Sequence, residues 1–97
     1  VGIYVNEELP VGKLKIRVYG TQMEYMRMLP LHKSQREVYS RHGEFAEFTY
    51  RVCLTPERKS KILALGPNVE VLEPVEYREE IKTEITVSLD RYLKNTQ

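Results

Sequence analysis

Lys13-Leu14-Lys15-Ile16-Arg17-Val18-Tyr19 is the stretch whose reading decides the fold. Leu14, Ile16 and Val18 fall on one side of it, and Lys13, Lys15, Arg17 and Tyr19 on the other. Period-two alternation of this kind is a strand buried on one face. Gly20 ends it. Thr21 followed three residues later by Glu24 has capping-box spacing. Tyr25, Met28 and Leu29 then recur at helical intervals. A short helix over 21–29 is expected, stopped by Pro30, because a residue before proline disfavours the helical region.

Outward from that unit, residues 35–41 and 44–54 read as two strands around His42-Gly43, a hairpin signal. With those two residues at the tip, Tyr39 faces Ala46 and Ser40 faces Phe45. Ala46, Phe48, Tyr50, Val52 and Leu54 share one side of the second strand. Thr55-Pro56 opens a helix: a hydroxyl N-cap, then proline at the first position, where its missing N–H costs nothing. That helix runs over 56–65 and stops at Gly66. A strand follows over 68–73. Pro74 precedes a last helix over 75–93, whose stripe is Tyr77, Ile81, Ile85, Ser88, Leu89 and Tyr92. The order β-α-β-β-α-β-α predicts an α+β, ferredoxin-like split βαββαβ domain: a four-stranded antiparallel sheet with an additional C-terminal helix. The 13–19 strand is expected at the centre and the 36–41 strand at an edge. Leu14, Ile16, Val18, Phe48, Tyr50 and Val52 should build the covered face. The last helix must bury its stripe against this domain or a partner. Residues 1–12, with Gly2, Asn6, Pro10 and Gly12 and no sustained period, read as a linker, leaving 13–97 as the domain.

Composition narrows the function classes. The chain has 97 residues, 15 Lys and Arg against 14 Asp and Glu, and a net charge of +1. A domain dedicated to duplex DNA is usually strongly basic. No apolar run is long enough to span a membrane. Cys53 is the single cysteine, which excludes an internal disulfide and fits a reducing, cytoplasmic setting. His32 and His42 lie ten residues apart and are not spaced as a metal pair. No cofactor and no metal are expected. The chain begins at Val1, which suggests a piece of a longer protein.

Two candidate sites stand out. Lys13, Lys15 and Arg17 form a basic stripe on the uncovered strand face, about 6–7 Å apart along the strand, close to the spacing of phosphates in an extended nucleic acid. They are a possible nucleic-acid contact. The alternative is a solvated face, or cross-strand pairs with Glu47. The central strands lack the aromatics at their middles that an RNA-recognition sheet uses. The second candidate is the turn carrying His32, Ser34 and Gln35, a possible interdomain or ligand contact, or else a turn whose polar side chains satisfy loop backbone. Met23, Met26 and Met28 with Tyr25 read as packing or interface. The acidic run from Glu70 to Glu84 reads as a solvated face. No nucleophile elbow, phosphate-cradling loop or catalytic acid pair is present, so no enzyme is expected.

Leu31-His32-Lys33-Ser34-Gln35, then Ile62-Leu63-Ala64-Leu65-Gly66-Pro67-Asn68-Val69-Glu70-Val71-Leu72-Glu73-Pro74, and the helix opening Glu76-Tyr77-Arg78-Glu79-Glu80-Ile81 together carry a resemblance. The chain resembles, over about residues 13–93, the C-terminal extension domain of WYL-domain transcriptional regulators of bacteria. Residues 1–5 are similar to the strand leading out of the WYL barrel. The resemblance implies a modular regulator with a winged helix-turn-helix, an Sm-like WYL barrel and this extension. It implies a homodimer, nucleic acid bound through domains outside this fragment, and no membrane association. The chain would be a non-enzymatic regulatory and dimerisation module assisting ligand or nucleic-acid sensing by the barrel. The alternative is a small-molecule effector-binding ferredoxin-like sensor. The Trp-Tyr-Leu signature is absent and the chain has no Trp, so no sensing or DNA-reading residue carries over.

Overall fold

A computed structural model describes residues 11–94. Strands β1 (Val11–Tyr19), β2 (Arg36–Arg41), β3 (Phe45–Cys53) and β4 (Val69–Glu73) alternate with helices α1 (Gln22–Met28), α2 (Pro56–Leu63) and α3 (Val75–Lys94). The sheet order is β2-β3-β1-β4, and every pairing is antiparallel. This is the expected α+β split arrangement, with β1 central and β2 at an edge. β1 starts at Val11, inside the stretch read as linker.

Alternation decides the layers. Leu14, Ile16 and Val18 of β1 face Tyr50, Phe48 and Ala46 of β3 in register, and all six are essentially buried. Met23 and Met26 of α1, Ile62 of α2, Val71 of β4, and Tyr77 and Ile81 of α3 close the same core. Among the described residues, no helix covers the opposite sheet face.

Three local expectations change. The hairpin tip is His42-Gly43-Glu44, so Arg41 pairs with Phe45, Ser40 with Ala46 and Tyr39 with Glu47. Gly43 adopts φ +76°, a left-handed conformation that glycine reaches at no steric cost, and the Glu44 N–H donates to the Arg41 carbonyl at 2.9 Å. A three-residue turn of this kind is a common hairpin loop. It slides the register by one. A bulge between Glu37 and Tyr39 absorbs a second slip.

The capping box at Thr21 does not form. Thr21 is itself helical (φ −64°, ψ −17°) and its side chain caps nothing, while Glu24 pairs with Arg27 at 3.5 Å. The core face of α1 is Met23–Met26. The Tyr25–Met28–Leu29 stripe points outward, and all three residues are exposed. A seven-residue helix makes two turns, enough to press one i, i+3 pair on the sheet. Thr55 caps α2 as expected, accepting from the Arg58 N–H at 3.1 Å.

Candidate functional site

The uncovered sheet face follows from register. Opposite Lys13, Lys15, Arg17 and Tyr19 stand Arg51, Thr49, Glu47 and Phe45. β2 adds Arg36 beside Thr49, Tyr39 beside Glu47 and Arg41 beside Phe45. β4 adds Glu70 beside Arg17 and Glu73 beside Lys15.

The structure divides the basic stripe. Glu47, only 8% exposed, sits beneath Arg17 and Lys15. Arg17 donates to Glu47 Oε2 from Nε at 3.0 Å and from Nη2 at 2.6 Å, and Lys15 Nζ lies 3.5 Å from Oε1. These pairs are the cross-strand alternative weighed from sequence. The Glu47 hydrogen bonds hold the Arg17 guanidinium in its charged form. That guanidinium also lies 4.3 Å over the Phe45 ring, a cation–π contact. Phe45 is flanked by Tyr19 at 6.2 Å and Tyr39 at 5.8 Å between centroids. Three rings therefore cross three strands at one end of the face. Sequence reading missed them because they come from different strands and meet only through the corrected register.

At the opposite end, Lys13 stands directly across from Arg51. Like charges directly opposed across strands destabilise a sheet. Arg36 lies one row on, across Thr49. Among the described residues, no carboxylate pairs with the side chain of Lys13, Arg36 or Arg51.

Glu70 links the sheet to α3. The Tyr19 hydroxyl donates to its Oε1 at 2.7 Å, and Arg78 Nη1 approaches Oε2 at 2.7 Å while also reaching the Val71 carbonyl at 2.8 Å. Arg78, then Tyr19, holds the Glu70 carboxyl below the usual carboxylate range, and Glu70 raises the Tyr19 phenol. Part of the acidic run is thus a structural joint rather than a solvated face. Lys59 of α2 likewise spans Glu80 at 3.2 Å and Glu84 at 2.9 Å.

The structure brings His32, Ser34 and Gln35 together as a turn that holds the core. The Ser34 N–H donates to His32 Nδ1 at 3.0 Å. Ser34 Oγ accepts the Arg51 N–H at 3.0 Å and lies 2.8 Å from His32 Nδ1. Gln35 Oε1 accepts from the Tyr50 hydroxyl at 2.6 Å and from the Leu31 N–H at 3.1 Å, and its Nε2 donates to the Met26 carbonyl at 2.9 Å. Beside His32, between Leu14, Tyr50, Val52 and Ile62, lies a cavity of about 60 Å³, far below the roughly 300–1,000 Å³ of metabolite pockets.

The last helix departs from the sheet. Its first half buries Tyr77 and Ile81; Lys82 to Lys94 are all exposed, including Ile85, Leu89, Tyr92 and Leu93 of the apolar side. This half walls an open groove of about 970 Å³ opposite Leu63, Gly66 and Pro67. Among the described residues, no group of His, Cys, Asp and Glu could hold a metal ion. None of the described helices is long and apolar enough to cross a membrane.

A split βαββαβ domain with one open sheet face and a terminal helix defines the class. The WCX domain model matches residues 10–87. The chain belongs to the WCX family, the C-terminal extension of WYL-domain regulators. No curated protein and no solved structure matches it significantly.

Proposed function

We propose that this WCX domain is a non-enzymatic regulatory and dimerisation module of a WYL-type DNA-binding transcriptional regulator in the cytoplasm. Residues ahead of β1 would connect it to a WYL barrel, which the domain assists in sensing a ligand or nucleic acid. The observation that carries the reading is the distal half of α3. Ile85 is 52% exposed, Leu89 55%, Tyr92 74% and Leu93 60%, and they continue the line of the buried Tyr77 and Ile81. An isolated helix this short is marginal in water unless its apolar side is covered. Pairing two copies through this side would cover it. Sedimentation of the 97-residue chain at tens of micromolar should show a dimer. Leu89→Asp with Tyr92→Asp should give a folded monomer. A monomeric parent chain would remove the domain as a sufficient cause of dimerisation.

Effector binding is the second reading, favoured by the groove of about 970 Å³ along the same helix. A thermal-shift screen of small amphipathic acids tests it. A stabilising hit lost in Leu63→Asp would support it.

A further inference from the structure

We propose that the open sheet face binds the backbone of single-stranded nucleic acid through Lys13, Arg36 and Arg51, with a base stacked on the exposed Tyr39 ring. This inference stands on the sheet alone and does not require two copies to pair through α3.

The first support is the opposition of Lys13 and Arg51. The face has acids to give: Glu47 neutralises Arg17 and Lys15, and Glu70 takes Arg78. Glu73 of β4, across from Lys15, is the acid nearest the Lys13 end, and it makes no ion pair with Lys13, Arg36 or Arg51. A sheet that sets two cations opposite each other, with a third one row away, is under electrostatic strain that an anion relieves. All three side chains are exposed. They are spread over two rows about 6–7 Å apart, a spacing suited to successive phosphates.

The second support is at the other end. Tyr39 is 54% exposed and in contact with Phe45, which is already layered beneath the Arg17 guanidinium. Rings and guanidinium planes are the surfaces on which unpaired bases stack. From the Lys13–Arg51 row to the Tyr19–Phe45 row is six residues, or about 20 Å, room for about three nucleotides. Duplex DNA does not fit this description. Its bases are not free to stack on Tyr39, and a net charge of +1 gives little long-range pull.

The structure therefore shifts the contact from the stripe read in sequence. Lys13 remains. Lys15 and Arg17 are held by Glu47 and act as frame, and Arg36 and Arg51 replace them.

The test is fluorescence anisotropy of the 97-residue chain with a short labelled oligothymidylate at low salt. Three phosphate contacts predict a log–log salt slope of about −2. Lys13→Gln with Arg36→Gln and Arg51→Gln should weaken binding at least tenfold and flatten the slope. Tyr39→Ala should weaken it about fivefold or more without changing the slope. Arg27→Gln with Arg58→Gln and Lys61→Gln removes equal charge on the helix side and should leave affinity within about twofold. Arg51→Gln alone carries the test if the triple variant does not fold. Equal loss in both triple variants would show only bulk charge and overturn the site. So would a salt-insensitive complex, or displacement by inorganic polyphosphate from wild type and Tyr39→Ala alike. Sedimentation of the same variants separates this outcome from failure of the α3 reading, which they leave intact.

Discussion

Gln35 does more than a turn residue usually does. Its amide joins three parts of the chain: the Tyr50 hydroxyl in β3, the Met26 carbonyl at the end of α1 and the Leu31 N–H. Tyr50 is 2% exposed, and burial pushes its phenol well above the ordinary tyrosine range. A buried hydroxyl without a partner costs about 1–3 kcal/mol. Gln35→Ala should therefore lower stability in urea titration by about that amount. Tyr50→Phe introduced into Gln35→Ala should recover part of the loss, because it removes the orphaned group. A neutral Gln35→Ala would mean water replaces the amide. The sequence showed Gln35 as a polar turn residue but not this role. Its main partner lies 15 residues away, on a strand face legible only as apolar. The cations tell the same story: Lys13 was visible through alternation, whereas Arg36 and Arg51 become its neighbours only through strand pairing.

Helix ends separate what spacing can show from what geometry decides. Thr21 and Thr55 look alike in sequence, each a hydroxyl before a helix. Only Thr55 has the extended backbone (φ −102°, ψ 163°) that aims its oxygen at an N–H. Thr55→Ala should cost about 1 kcal/mol, and Thr21→Ala less than about 0.5 kcal/mol, both read from chemical denaturation. The joint between β4 and α3 is sensitive to acid. Glu70 has a folded pKa below its ordinary 4.5, through Arg78 first and Tyr19 second. Its contribution is present above that ordinary value and is lost as pH falls through the folded one. Thermal midpoints between about pH 3 and 6 should fall more gently toward acid in Glu70→Gln than in the parent. Parallel curves would mean the joint contributes nothing. Glu37, lowered by Arg27, adds a second slope of the same sign. In both cases the acid was legible and its distant cation was not.

At the scale of the molecule, the alternation of 13–19 and of 45–53 was enough to place the core, and the order of elements to place the strands in the sheet. Period two fixes which side is buried whatever the exact register. Ile16→Ala or Phe48→Ala should cost about 2–5 kcal/mol in denaturant titration, since both are at most 1% exposed. What alternation could not place is the distal half of α3. Its stripe has the same period as the buried half, and period alone does not say where a helix leaves its domain. Hydrogen exchange should distinguish the halves. Amides of residues 75–82 should be protected at any concentration, and those of 85–94 only when the chain is concentrated enough to pair. Uniform protection in dilute solution would mean the helix needs no cover.

Arg78 and the bulge in β2 share a consequence for solubility. A sheet of four strands has two outer strands, and each is an invitation to polymerise edge to edge. At β4 the Val71 carbonyl is taken by the Arg78 guanidinium. At β2 the ladder is kinked between Glu37 and Tyr39, and Arg36, Glu37 and Arg41 crowd the strand with charge. Neither border offers a clean template for another strand. Both outer strands thus carry features that disfavour fibril growth through the sheet.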